Sequence, residues 1–219
     1  MGVSESQGEQ GVVLVTGASG YIGSHIVANL LSKGASVRAT VRDASDPDRV
    51  DHLMEMEIAE GGQLEIVEMD LLDSESVRKA VSGCMQVIHT AAVVVLNSRN
   101  PQKKIVDPSV IGTRNVLDAI DSTETVECLV HTSSTAAIRP QKWSDGQVLT
   151  TETWADDANI VDNPYGLAKY SAEMLVREWH DSKDNGPRMV TINPCAVSYT
   201  HLRAHETLRY LVCRLLLEK

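Results

Sequence analysis

Phenylalanine is absent from the 219-residue sequence, and aromatic residues make up only 4% of it. A core built without large rings must rest on Val, Leu, Ile, Ala and Met. Long apolar runs are missing too. None reaches the ~20 residues that span a bilayer as a helix, so the expectation is a cytoplasmic protein with no membrane partner. The opening MGVSESQGEQ has neither a basic region nor an apolar stretch and is no secretory leader. Residues 1–11 read as a disordered polar tail. Gly2 and Ser6 fit the N-myristoylation spacing, but one acyl chain without a basic patch anchors weakly. Positive charge is in deficit: 20 Lys+Arg stand against 30 Asp+Glu, a net charge of -10, which argues against a nucleic-acid or anionic-lipid surface. Cysteine is sparse. Cys84, Cys128, Cys195 and Cys213 form no CxxC pair, which excludes a disulfide framework or zinc site and predicts buried or inert thiols. What remains, 42% hydrophobic and 23% charged, is ordinary for a globular chain with a sizeable core.

Strand and helix patterns alternate along the chain. VVLVT (12–16) is a short β-branched run of the kind buried on both faces of a parallel sheet. Residues 21–32 space Ile22, Ile26, Ala28, Leu30 and Leu31 as on a helix, with Gly34 as a stop. Further strands read at 36–41, 64–70, 85–91, 126–133 and 189–193. Helices read at 110–120 and 165–179. Residues 139–164 form a long polar loop placed near a ligand. Such alternation implies an α/β fold, a doubly wound parallel sheet with right-handed crossovers.

The first chemical signal is TGASGYIG, with Gly17, Gly20 and Gly23 between strand and helix. In such a turn the first glycine permits the bend and the second lets the backbone approach a pyrophosphate. The third allows close helix–strand packing, and the helix N-terminus offers N–H groups to the phosphates. This context points to dinucleotide binding. NAD sites usually carry an acid about 20 residues further on. Here Arg42 stands at the end of the second strand, where a guanidinium suits the 2′-phosphate of NADP. Asp43 follows and keeps NAD open, and Arg42 could instead be a surface charge paired with Asp43 or Asp46. Asp70 could accept from an adenine amino group or cap the next helix.

The second signal is Tyr165-Gly-Leu-Ala-Lys169. Residues four apart share a helix face. A phenol is a poor acid at neutral pH, and a nearby ammonium favours its phenolate. Tyr165 can then give a proton to a carbonyl oxygen that receives hydride. Ser133 and Ser134 end the fifth strand, at the sheet edge where ligands bind, and could orient that oxygen or simply cap a turn.

These stretches together resemble the extended short-chain dehydrogenase/reductase family (the NAD-dependent epimerase/dehydratase superfamily). The nearer likeness is to its dihydroflavonol reductase, cinnamoyl-CoA reductase and 3β-hydroxysteroid dehydrogenase branch. The matching runs are VTGASGYIGSHIV, VRATVRD, MDLLD, VIHTAA, DPSVIGTRNVLDA, HTSS, ETWADD, YGLAK and INP, in the family's order. The resemblance implies catalysis by Ser134, Tyr165 and Lys169 and no metal. It also implies cofactor contacts at Gly17, Gly20, Tyr21, Ile22, Gly23, Arg42, Asp70, Leu71, Ala91, Ala92, Tyr165, Lys169 and Pro194. The implied activity, for the intact parent protein, is NADPH-dependent reduction of a small-molecule ketone, aldehyde or CoA thioester; the present chain reads as a fragment and is expected to be inactive. The alternatives are a sugar-nucleotide epimerase or dehydratase and a non-catalytic NADP-binding protein. A homodimer through helices 107–120 and 165–179 belongs to the same implication.

The tail departs from the pattern. After Pro194 the family continues into a Gly-Pro turn, a further strand and a substrate lobe. Here VSYTHLRAHETLRYLVCRLLLEK (197–219) follows instead, and it back-translates to a run that looks like a transposase-type sequencing-library adapter. The expected organisation is therefore a tail at 1–11, a dinucleotide-binding Rossmann domain at 12–196 truncated before its last strand and substrate lobe, and a non-native tail at 197–219. His201 and His205 should then carry no metal.

Overall fold

The computed structural model describes residues 11–92, 98–144, 146–195 and 215–216. The chain runs β1 (Val12–Thr16), α1 (Tyr21–Leu31), β2 (Ser36–Val41), α2 (Pro47–Met54), β3 (Gln63–Glu68), α3 (Ser74–Val81) and β4 (Cys84–His89). A π-helical turn (Gln102–Val106) leads into α4 (Asp107–Asp121). Then come β5 (Cys128–Thr132), α5 (Thr135–Ile138), α6 (Pro164–Asp181), β6 (Arg188–Ile192) and the two-residue β7 (Leu215–Leu216). No helix among the described residues is long and apolar enough to cross a membrane.

The sheet order is β3-β2-β1-β4-β5-β6-β7. The first six strands are parallel, and the order reverses between β1 and β4, which opens a crevice at their carboxyl ends. β7 lies antiparallel on β6, pairing Ile192 with Leu215. The sequence pattern placed no strand there and left β6 as the edge.

Alternation along the strands divides the core. Leu14, Val87 and Leu129 point to one face and meet Val77 of α3, Val116 of α4 and Val176 of α6. Val15, Val37 and Val41 point to the other and meet Val27 and Leu31 of α1 and Leu53 of α2. Full burial of each such side chain is worth about 1.5–3 kcal/mol, and methyl-branched residues fill the place that rings would take.

The pattern reading missed α2 and α3. Each has only eight residues, with two or three buried positions, too few to establish a period. Their caps are nonetheless written in the sequence. Asp46 accepts from the Asp48 amide with Pro47 at the first helical position, and Asp73 accepts from the Glu75 amide. Asp73, not Asp70, therefore caps the helix after β3. The Cys84 thiol is buried, Cys128 is half-buried and Cys195 is exposed. Residues 1–10 with Gly2 and Ser6, and residues 196–214 with His201, His205 and Cys213, lie outside the described residues.

Two buried histidines make the fold acid-sensitive. His89 of β4 and His131 of β5 sit with ring centroids 5.6 Å apart, each 3% exposed. Burial pushes His89 down to about 3 and His131 in the same direction. Both groups thus bind protons more readily in the unfolded chain, so stability is intact above the ordinary value of 6.5 and is lost as pH falls toward 3. At about pH 5 His89 alone is expected to cost about 2 kcal/mol. Urea midpoints measured across that range check this; a midpoint that does not move contradicts it.

Candidate functional site

The crevice at the carboxyl ends of the strands is a cavity of about 1240 Å³, and every candidate catalytic or cofactor-binding residue lines it. At one end is the turn after β1. Gly17 has φ +67°, and a Cβ there would lie 2.9 Å from the Ala91 backbone. At Gly23 a Cβ would lie 2.3 Å from the Gly17 carbonyl oxygen, so helix α1 packs on the turn only without a side chain. No side chain caps α1, and its first turn carries no acid. Its N-terminus, with Gly20, Tyr21 and Ile22, therefore faces the cavity with its dipole uncompensated.

Thr16 holds the turn against the end of β4 and was not anticipated. Its hydroxyl donates to His89 Nδ1 at 2.8 Å and accepts from the Thr90 and Ala91 amides at 3.1 and 3.0 Å. This fixes Ala91 and Ala92 at the rim. Asp70 closes a turn by accepting from the Leu72 amide at 2.9 Å, and the Leu71 carbonyl accepts from Asn115 of α4 at 2.7 Å.

Arg42 is exposed at the rim beyond β2, and its guanidinium forms no hydrogen bond or ion pair among the described residues. Pairing with its acidic neighbours does not occur. Asp43 is tied to the Ser45 amide and hydroxyl at 2.9 and 2.7 Å, and those bonds hold its carboxyl below the usual carboxylate range. Asp46 caps α2 and meets Arg49 at 2.8 Å. Arg49 also lines the cavity, so two guanidiniums flank this end. Sequence reasoning missed Arg49 because it assigned no helix at α2.

At the other end, Asn163 caps α6, accepting from the Gly166 amide at 2.9 Å, with Pro164 at the first helical position. That cap sets Tyr165 in the first turn and Lys169 one turn on. Lys169 Nζ reaches the Thr132 carbonyl at 3.5 Å, and burial pushes its ammonium down to about 8. The two serines after β5 separate clearly. The Ser133 hydroxyl is committed to Glu173 at 2.6 Å, whereas Ser134 caps the short α5 through the Ala136 amide at 3.1 Å and keeps a donor. The loop 139–164 sends both ends to the cavity: Arg139, Pro140 and Gln141 from one, Asp162 and Asn163 from the other. The Asp157 carboxylate ties them by accepting from the Gln141 and Lys142 amides at 2.7 and 2.9 Å. Pro194 and the exposed Cys195 complete the wall.

This arrangement has a counterpart among known proteins. Residues 14–199 match the 3-beta hydroxysteroid dehydrogenase/isomerase family. The chain belongs to that family. Family membership places it in the extended short-chain dehydrogenase/reductase branch that its motifs suggest. It is 39% identical over 190 residues to cinnamoyl-CoA reductase CAD2 of Medicago truncatula, covering 85% of this chain and 57% of that protein. It is 34% identical over 190 residues to the bifunctional dihydroflavonol 4-reductase/flavanone 4-reductase of Pyrus communis, covering 84% of this chain and 53% of that protein. Among solved structures, Gre2 of Candida albicans in complex with NADPH aligns with TM-score 0.71 at 31% identity, covering 84% of this chain and 57% of the other. The chain thus spans little more than half the length of each of these proteins.

Proposed function

We propose that the intact parent protein is an NADPH-dependent oxidoreductase that reduces a carbonyl, a ketone, aldehyde or CoA thioester, with Ser134, Tyr165 and Lys169 at its reactive end, and that the activity assays below apply to it. The observation that carries this reading is one cavity with an unpaired Arg42 at one end and Tyr165, Lys169 and Ser134 at the other. The residues present fit the cofactor. The glycine turn leaves room for a pyrophosphate against the α1 N-terminus. Arg42 and Arg49 supply planar cations for a 2′-phosphate. NADPH, when bound, supplies the hydride. Tyr165 donates the proton that the carbonyl oxygen needs once its carbon is reduced. Lys169, still largely protonated at neutral pH, stabilises the phenolate that remains. The Ser134 hydroxyl orients the carbonyl oxygen and strengthens its hold as charge develops there.

The named activity of the Medicago truncatula relative supports the thioester arm, and the NADPH complex of Gre2 supports the cofactor. A homodimer through α4 and α6, which pack side by side within one chain with Trp179 donating to Asp121, and a cytoplasmic location belong to the same proposal. The test offers NADPH with an aromatic CoA thioester, an aliphatic ketone and a nucleotide sugar in parallel. Oxidation of NADPH with either carbonyl compound is expected. Isomerisation of the nucleotide sugar without net NADPH consumption would overturn the assignment in favour of an epimerase.

A further inference from the structure

Glu173 is fully buried, one turn beyond Lys169 on α6, and no step above uses it. A buried carboxylate is costly unless its oxygens are matched by donors. Here they are matched. Oε2 accepts from the Ser133 hydroxyl at 2.6 Å and from Asn193 Nδ2 at 2.7 Å, while Oε1 faces the Arg177 guanidinium at 3.3 Å. Asn193 Nδ2 also donates to the Ser134 carbonyl at 3.1 Å. Arg177 is in turn held over the Trp154 ring, 4.7 Å from its centroid. One carboxylate thus links the ends of β5 and β6 to the helix that carries Tyr165 and Lys169.

We propose that Glu173 is the positioning residue of this site: its carboxylate is the counter-charge of Lys169 and, through Asn193, fixes the backbone at Ser134. The assignment rests on the functional reading above for what those two residues do. Burial alone works against a charged lysine here, and Glu173 is the neighbour that opposes the effect. The other ionisable groups around Lys169 are His89 from β4, His131 from β5, and Tyr165 and Arg177 on α6. Both histidines are neutral near pH 7 and supply no charge in either direction. A group that merely filled space would hold the strands and helix together equally well as an amide.

The experiment measures the reactivity of Lys169 toward a trace acylating reagent as a function of pH, read by mass spectrometry on the cofactor-free chain. Wild type should show its inflection near about 8. Glu173→Gln, which keeps shape and loses charge, should move the inflection to lower pH, and Glu173→Asp should restore most of it. Glu173→Gln removes one partner of the half-buried Arg177, so Glu173→Gln/Arg177→Met is run beside it and should also titrate below wild type. An unchanged Lys169 inflection in either folded amide variant overturns the proposal. NADPH binding is measured separately on wild type. Its failure would overturn the cofactor reading while the lysine titration still decides the role of Glu173 as counter-charge.

Discussion

Replacing Tyr165 by Phe is expected to lower carbonyl reduction by about 10²–10⁴-fold, the usual loss when a positioned general acid is removed, while NADPH affinity changes little. The aromatic ring is retained, so the first turn of α6 keeps its packing and the Asn163 cap keeps its geometry. The group removed is the phenolic hydroxyl, the proton donor. Although Tyr165 is itself among the implied cofactor contacts, the elements that would hold the phosphate groups, the Gly17–Gly23 turn and Arg42, lie at the far end of the cavity. Steady-state kcat and a separate NADPH titration on the same variant check both halves. A variant that keeps wild-type turnover would remove Tyr165 from the mechanism, and a parallel loss of cofactor binding would make its role structural.

Arg42→Ala is expected to weaken NADPH binding roughly ten- to a hundredfold, the worth of one charged hydrogen-bonding contact at about 1.5–3 kcal/mol. NADH, which lacks the 2′-phosphate, should bind the variant about as well as it binds wild type. Arg42 is exposed and makes no contact that its removal would orphan, so stability should not change. Arg49 limits the loss because a second guanidinium remains at the same end. Titrations of both dinucleotides against both proteins read out the difference. Equal weakening of NADPH and NADH would show that Arg42 acts on something other than the phosphate.

Much of this site was legible because its parts are local. The glycine turn, the Tyr–Lys spacing and the strand-ending serines each lie within a few residues, and the parallel strands bring their ends to one edge. All six strands read from the pattern match the observed ones within two residues at each end, since buried parallel strands write themselves as apolar runs. The unread parts depend on distant pairings. Thr16 matters because it meets residues 73 to 75 positions away, and Glu173 because, besides its local pair with Arg177, it meets Asn193 and Ser133 20 and 40 positions away. Neither pairing leaves a local trace. The choice between Ser133 and Ser134 is similar: residue type does not separate them, the family motif picks Ser134 by its place, and only the structure shows the buried carboxylate that engages Ser133. Arg49 was hidden for another reason, since α2 is too short to announce itself by periodicity.

The most direct test of the central claim, that this cavity holds NADP(H), is a titration of the purified chain with NADPH and with NADH, followed by the fluorescence of the reduced nicotinamide. The account predicts saturable binding of NADPH at one site per chain, tighter than NADH by roughly the ten- to hundredfold factor that a paired 2′-phosphate supplies. Equal affinity for the two would contradict the assignment of Arg42, and absence of binding by a folded chain would contradict the claim itself.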